Sequence, residues 1–216
     1  MHDDLISWFI FILSVRVCGV DEAGRGPIFG PLVVAGVAIE RSKLGKLRRL
    51  GLKDSKKLCP NKRVELYSRI IKIVDAYTIS RIQPRTIDKN VSKHNLNKLE
   101  AKFMGRIIDR LDADVAYVDA CDTNATRFGK EIAKMTNDAI VHSYHKADER
   151  FAIVSAASIL AKVARDRAIT KLGINCSGYP SDPKTRKYLV RYIKKHSKAP
   201  ACARQSWKPV KIALKI

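Results

Sequence analysis

The sequence predicts an α/β fold, a mixed sheet covered by helices, on three observations. Two apolar, β-branched runs open the chain in close succession. Later short apolar runs alternate with stretches of helical periodicity, a pattern that places helices on a sheet rather than strands on strands. Hydrophobic residues make up 46% of the 216 positions and charged residues 29%, enough to bury a core.

The elements follow in order. Val15–Val20 reads as a buried strand ending at Asp21, and Gly24, Gly26, Pro27, Gly30 and Pro31 punctuate the loop behind it. Leu32–Ile39 is a second strand and Leu44–Leu50 a short basic helix or turn. A helix starts at Pro60, where proline suits the first turn, and carries Val64, Leu66, Tyr67, Ile70 and Ile71 on one face. Tyr77–Ile82 alternates as a third strand. Leu96–Leu111 is amphipathic, with Leu96, Leu99, Phe103, Ile107 and Leu111 on one side. Val115–Val118 is a strand that stops at Asp119, followed by a helix near Thr126–Met135 and a strand near Ala139–Ser143. Ala152–Ile169 is a helix of small residues, Gly178–Pro183 a rigid turn, and helical patterns resume to the end.

Charge narrows the partners. Forty-two Lys and Arg stand against 21 Asp and Glu, a net charge of +21. Such a surplus suits a polyanionic partner, either nucleic acid or an anionic membrane. From Pro183 to Ile216 the chain holds eleven Lys or Arg and no acid. Tyr188, Leu189, Tyr192 and Ile193 recur there at helical spacing, so part of this basic stretch should fold. No membrane partner is expected: the apolar run Leu5–Val15 is shorter than the roughly 20 residues a span needs. Nor does it open like a secretory signal, since Asp3 and Asp4 precede it. Five scattered cysteines with no C-x-x-C pair argue against a zinc site or a disulfide framework and suit a reducing cytoplasm.

Four acids stand at comparable places. Asp21 and Glu22 end the first strand, Asp119 ends a later one, and Asp148 is expected in a loop just after the next. Carboxylates at neighbouring strand ends can converge on the crevice where open sheets bind ligands. Successive strand side chains face opposite ways, so Asp21 and Glu22 reach one site only if the chain bends, and the Gly24–Gly26 loop could supply the bend. Clustered carboxylates repel unless compensated, and hard divalent cations such as Mg²⁺ or Mn²⁺ take oxygen ligands. Two such ions serve phosphodiester cleavage well. Acids at strand ends are also ordinary turn residues.

Five blocks make the pattern specific. They are Val20-Asp21-Glu22-Ala23-Gly24-Arg25-Gly26-Pro27 with Gly30-Pro31, and Asp54-Ser55-Lys56-Lys57-Leu58. Next come Tyr117-Val118-Asp119-Ala120 and His145-Lys146-Ala147-Asp148, the latter leading to Val154–Val163. Gly178-Tyr179-Pro180-Ser181-Asp182 closes the series. In this order, over roughly Val15 to Lys211, they resemble the ribonuclease HII family, type 2 ribonuclease H, in its archaeal single-chain form. The resemblance implies a ribonuclease H-like fold: a five-stranded mixed sheet flanked by helices, with a small helical C-terminal appendage. It implies an endonuclease that cuts the RNA strand of RNA–DNA hybrids and nicks 5′ of ribonucleotides embedded in duplex DNA, leaving 5′-phosphates. The family's tasks, ribonucleotide removal and RNA-primer processing in DNA replication, come with it.

Roles follow from the same resemblance. Asp21, Glu22, Asp119 and Asp148 would be both catalytic and metal-binding, with Mn²⁺ or Mg²⁺ as cofactor. Gly24, Arg25 and Gly26 would contact the ribose 2′-hydroxyl, largely through backbone, and Tyr179 would pack on the following sugar. Only glycine lets backbone approach a sugar closely, and the 2′-hydroxyl is what marks RNA. Read without the family, Gly24 and Gly26 are a tight turn and Tyr179 a packing ring. Lys56 and Lys57 are expected to face phosphates, although a lone pair of lysines is commonly just surface. His145 reads either as a proton-transfer aid or as structural.

The expected organisation is an extension over 1–14, a catalytic domain over 15–172 and a basic helical substrate-binding region over 173–216. Family members commonly begin only a few residues before the acidic pair, so Met1–Ser14 is expected to be a misassigned start, with translation opening near Val15. A monomer is expected. No clamp-docking motif is evident at the C-terminus, which leaves a sliding-clamp partner open. Two other readings compete: a type 3 ribonuclease H, for whose usual extra N-terminal domain the chain lacks room, and a basic hybrid- or ribosome-binding protein, which would explain the charge but not the acids.

Overall fold

A computed structural model describes residues 15–52 and 58–215. Met1–Ser14 and the Lys56–Lys57 pair therefore lie outside the described residues.

Five strands form one sheet in the order β3-β2-β1-β4-β5. They are β1 (Arg16–Ala23), β2 (Leu32–Glu40), β3 (Ala76–Ile82), β4 (Val115–Asp119) and β5 (Ile140–Tyr144). β1 pairs antiparallel with β2, and β2 with β3, whereas β1–β4 and β4–β5 are parallel. The expected mixed sheet is therefore present. β1 and β2 are buried along nearly their whole length, as central strands covered on both faces must be.

Strand alternation sorts the core into two layers. On one face Val17 and Ala23 of β1 join Val33, Ala35, Val37 and Ile39 of β2. A 19-residue helix covers that face; the chain order of helices is α1 (Leu44–Arg48), α2 (Pro60–Ile70), α3 (Pro84–Val91), α4 (Leu96–Arg110), α5 (Ala125–Ala133), α6 (Ala147–Arg150), α7 (Ala152–Thr170), α8 (Pro183–His196) and α9 (Lys208–Ala213), and the cover is α7. Its small residues allow it to lie hard on β1: a Cβ at Gly19 would stand 2.4 Å from the Ile153 carbonyl. On the other face Cys18, Val20, Leu32 and Val34 meet Ala101, Met104, Ile107 and Ile108 of α4.

A third, smaller cluster ties the C-terminal region to the loop after β1. Ile28 and Phe29 pack there with Ile169, Leu189, Ala199, Ala203, Val210 and Ala213. The basic stretch does fold, as α8 and α9.

Two expectations need correcting. Asp148 lies not in a loop but in the first turn of α6, a four-residue helix separated from β5 by His145 and Lys146 alone. Helix α3, unassigned in the sequence, is present: Pro84 starts it, and Pro84 and Ile87 are buried.

Candidate active site

The acids gather at the carboxyl ends of the parallel strands. β1 and β4 stay paired through Val20↔Val118, which brings Asp21 and Asp119 to the same level of the sheet. No bend separates Asp21 from Glu22, contrary to the sequence expectation. β1 keeps its register with β2 through Glu22↔Val34 and Ala23↔Val33. Alternation therefore holds, and the two acids face opposite ways. Asp21 looks toward α7, beside Ser158, and Glu22 toward Glu100 of α4.

Asp119 lies at the end of the sheet, where it acts on both, and its charge raises the carboxyls of Asp21 and Glu22 alike. Asp148 joins from α6, whose start is anchored on β4: the Ala147 N–H donates to Asp119 Oδ1 at 2.6 Å. Asp148 and Asp21 are each only 4% exposed. Asp21 thus feels the charges of Asp119 and Asp148, and Glu22, on the α4 side, feels those of Asp21 and Asp119.

That gathering is costly. Burial, and then the charge of Asp119, push the Asp21 carboxyl from 3.8 up to about 7, with Asp148 adding to the rise. The Glu22 N–H, 2.7 Å from Asp21 Oδ1, offsets part of it. The Ser158 hydroxyl moderates it too, without an aligned hydrogen bond. Glu22 is also held well above its ordinary range, by burial first and then by Asp21 and Glu100. Its Oε2 is buried with no hydrogen-bond partner. An all-oxygen set with an unsatisfied buried carboxylate oxygen fits a hard divalent cation. Among the described residues, no three His, Cys, Asp or Glu stand close enough to make a ready cage. A cation that retains several of its waters suits such an open set.

The loop after β1 is built from outside the local sequence. Gly24 has φ of +87°, a conformation that glycine adopts without strain, and a Cβ there would meet Arg165 Cδ and Pro31 O at 3.0 Å. At Gly26 nothing lies within 4 Å of a Cβ position, so no packing demands glycine there. The Arg25 guanidinium does not point outward. It donates to Glu100 Oε2 at 2.8 Å, to the Cys121 carbonyl at 2.9 Å and to Asn97 Oδ1 at 2.6 Å. Only the backbone of Arg25 remains for the sugar contact the sequence suggested.

Three charged residues here went unnoticed in the sequence. Glu100 is fully buried, accepts from Arg25 and from Cys121 Sγ, and its carboxyl is raised by burial. Its signal was present: it falls four residues after Leu96 and three before Phe103, on the apolar face of α4. Arg204, counted as one more basic residue of the tail, has no exposure at all. It donates to the carbonyls of Gly24, Arg25 and Gly30, and burial lowers its guanidinium to about 10. Arg165 of α7 is 5% exposed and donates to the Ser177 carbonyl at 2.7 Å.

Tyr179 stands in the turn before α8, 38% exposed, its ring centroid 4.7 Å from the Arg165 guanidinium carbon. The turn is rigid: Asp182 accepts from the N–H of Ser177 and of Lys184, and these bonds hold its carboxyl down to about 2. The Gly178 carbonyl accepts from the Ile28 N–H at 2.7 Å, so the tyrosine turn and the glycine loop are hydrogen-bonded to each other. His145 lies exposed between β5 and α6.

A mixed five-stranded sheet with carboxylates at the ends of β1 and β4 defines the ribonuclease H fold class. The family model for ribonuclease HII matches residues 18–210. A ribonuclease HII of Cenarchaeum symbiosum is 50% identical over 199 residues, covering 91% of this chain and 97% of its own. The crystal structure of ribonuclease H2 from Pyrococcus horikoshii superposes with a TM-score of 0.87 at 40% identity, over 93% of this chain and 98% of that one. A ribonuclease HII of Archaeoglobus fulgidus, solved in a complex with PCNA, gives 0.83 at 41%, over 90% and 96%. A ribonuclease HIII solved with Mn²⁺ gives 0.78 at only 22%, over 94% of this chain and 70% of its own, which shows the shared fold. The chain belongs to the ribonuclease HII family and is an RNA–DNA hybrid endonuclease.

Proposed function

We propose that this ribonuclease nicks 5′ of a ribonucleotide embedded in duplex DNA, as well as cutting hybrids, with Asp21, Glu22, Asp119 and Asp148 as its catalytic, metal-holding acids. The observation that carries the reading is Asp21: buried beside Asp119 and Asp148, with its carboxyl pushed to about 7. A protein with net charge +21 keeps these buried carboxylates together at the carboxyl ends of β1 and β4.

Bound Mg²⁺ or Mn²⁺ would supply activation of the attacking water and neutralisation of the leaving oxygen. The chain's own groups do the rest. The acids hold the cations, and Asp119 is itself oriented by the Ala147 N–H. The Gly24–Gly26 backbone meets the 2′-hydroxyl, and the open space at Gly26 leaves room for the sugar. Tyr179, presented by its rigid turn, packs on the next sugar and favours one without a 2′-hydroxyl. Lys56 and Lys57 hold phosphates in this proposal, and the basic region from 173 onward flanks the catalytic domain and grips the duplex backbone. The enzyme acts as a monomer, and a sliding clamp enters as a partner through the A. fulgidus relative, which was solved with PCNA.

The test is cleavage of a duplex carrying one ribonucleotide, with Mg²⁺, with Mn²⁺ and with chelator. Asp21→Asn and Asp119→Asn should lose cleavage and keep binding; full activity in either defeats the assignment. Tyr179→Ala should lose more on the single-ribonucleotide duplex than on a long hybrid, and equal losses remove Tyr179 from junction sensing.

A further inference from the structure

Arg204 is out of character for a basic tail. A guanidinium without exposure is strongly disfavoured by desolvation unless it is fully engaged. Among the described residues no carboxylate faces it at hydrogen-bond distance. Its partners are backbone carbonyls, all from one loop. Nη2 donates to Gly24 O at 2.5 Å and to Gly30 O at 3.1 Å, Nη1 to Arg25 O at 2.7 Å, and Nε to Gly30 O at 3.2 Å. One side chain thus holds both ends of the Gly24–Gly30 loop, across a sequence separation of 174 to 180 residues.

The peptide geometry gives this grip a consequence. In a trans peptide the C=O and the following N–H point to opposite sides. Gly24 O and Arg25 O are both drawn toward Arg204. The N–H groups of Arg25 and Gly26 therefore point away from it, toward the open side where a Gly26 Cβ would meet nothing. Neither N–H donates to a partner among the described residues. Trp207, whose ring lies 5.1 Å below the Arg204 guanidinium, donates Nε1–H to Gly26 O at 3.2 Å and draws the next peptide the same way. Arg165 closes the arrangement, packed under Gly24 at one end and against the Tyr179 ring at the other.

We propose that Arg204 is a positioning residue for ribose selection: by taking the Gly24, Arg25 and Gly30 carbonyls it aims the Arg25 and Gly26 N–H groups at the sugar. Trp207 assists through Gly26. This rests on the reading of the loop as the 2′-hydroxyl site. Arg204 never touches substrate; its donors sit on three separate nitrogens, Nε, Nη1 and Nη2, fixed in one plane, and so reach three spread carbonyls that the N–H groups of a single ammonium nitrogen cannot meet together.

The experiment compares full-length wild type, Arg204→Lys and Trp207→Phe. The principal readout is the ratio of dissociation constants for an all-DNA duplex and the same duplex with one ribonucleotide, by fluorescence anisotropy in chelator. kcat and KM on the ribonucleotide duplex in Mg²⁺, and thermal melting, accompany it. Arg204→Lys should lower the ratio about tenfold, the effect of misplacing one hydrogen bond, and leave all-DNA affinity within about twofold, since that is set by phosphate contacts. Its kcat should fall more than its KM rises. Trp207→Phe keeps the ring and loses one donor, so the ratio should fall about two- to fivefold.

A ratio equal to wild type in Arg204→Lys overturns the assignment, as does a parallel loss of both affinities. Should Arg204→Lys fail to fold, an unchanged ratio in Trp207→Phe overturns it instead. A wild type that cuts hybrids but shows no ribose preference in binding overturns the reading of the loop, and this assignment with it; that outcome is distinct from a discriminating wild type with indifferent variants.

Discussion

Arg25, the central residue of the glycine loop, ends inside the protein, its Nη1 2.8 Å from Oε2 of the fully buried Glu100. A residue that reads as substrate-facing in the sequence thus neutralises a carboxylate under the site. Burial raises the Glu100 carboxyl and Arg25 opposes that rise. Arg25→Ala should therefore strand a buried charge. Arg25 is about one-third exposed, so the loss is less than for a fully buried pair, roughly 2 kcal/mol, or about 4–8 °C in Tm. The loss should shrink at pH 5, where Glu100 can take up a proton. Thermal unfolding at pH 5 and pH 8 checks this; an equal loss at both excludes the stranded charge.

Asp21 sets a pH dependence of opposite sense to that of most carboxylates. Its pKa is raised in the fold, from 3.8 to about 7. An acid that prefers its proton when folded contributes stability that is fully present below about pH 4 and is lost as pH rises through 7. Without metal, Asp21→Asn should melt higher than wild type at pH 8, by roughly 4–10 °C, and the gap should close toward pH 4. Mg²⁺ or Mn²⁺ should raise the wild-type Tm most at pH 8 and the variant's least. A wild-type and variant pair with parallel pH profiles would remove the repulsion.

The two loop glycines should separate folding from recognition. Gly24→Ala puts a side chain at φ +87° and against Arg165 and Pro31, and should cost about 1–3 kcal/mol. Gly26→Ala meets no neighbour and should leave stability within about 0.5 kcal/mol. It should nonetheless cut single-ribonucleotide cleavage at least about tenfold, because the methyl occupies the sugar's place. Melting curves beside cleavage rates decide it; full activity in Gly26→Ala would show that no sugar comes close.

The Asp119–Ala147 hydrogen bond predicts a further effect. Ala147→Pro removes the N–H that orients Asp119, and because Lys146 before it stands at φ +55°, which a following proline disfavours, melting curves accompany the assay. Cleavage should fall about tenfold while duplex affinity holds, and a proportional loss of affinity would speak against an orienting role.

Much of the frame was legible because it is periodic. β4 carries its burial at a spacing of two and the helices over Pro60–Ile70 and Leu96–Arg110 at three to four, while β1, β2 and the helix over Ala152–Thr170 stand out as continuous runs of apolar or small residues. The acids were legible by their positions at strand ends and by the blocks around them. Helix α3 escaped because its eight residues carry only Ile87 and Pro84 into the core, too few to set a period.

What the sequence determined by itself is local: the strand and helix faces, the turn before α8, the strand-end placement of Asp21 and Asp119, and the family. What only the tertiary structure decided is which charges are inside. Arg204 looks like a solvated residue of the basic tail and Arg25 looks exposed on its loop, while Glu100 stands on the apolar face of α4 with nothing local to say what pairs it. Each is drawn inward, Arg25 only in part, because a partner waits far along the chain: Arg25 and Glu100 for each other, and the carbonyls of Gly24 to Gly30 for Arg204. Burying a charge is allowed when its hydrogen bonds are supplied, and that supply is a property of three-dimensional neighbours, which no local pattern of residues records.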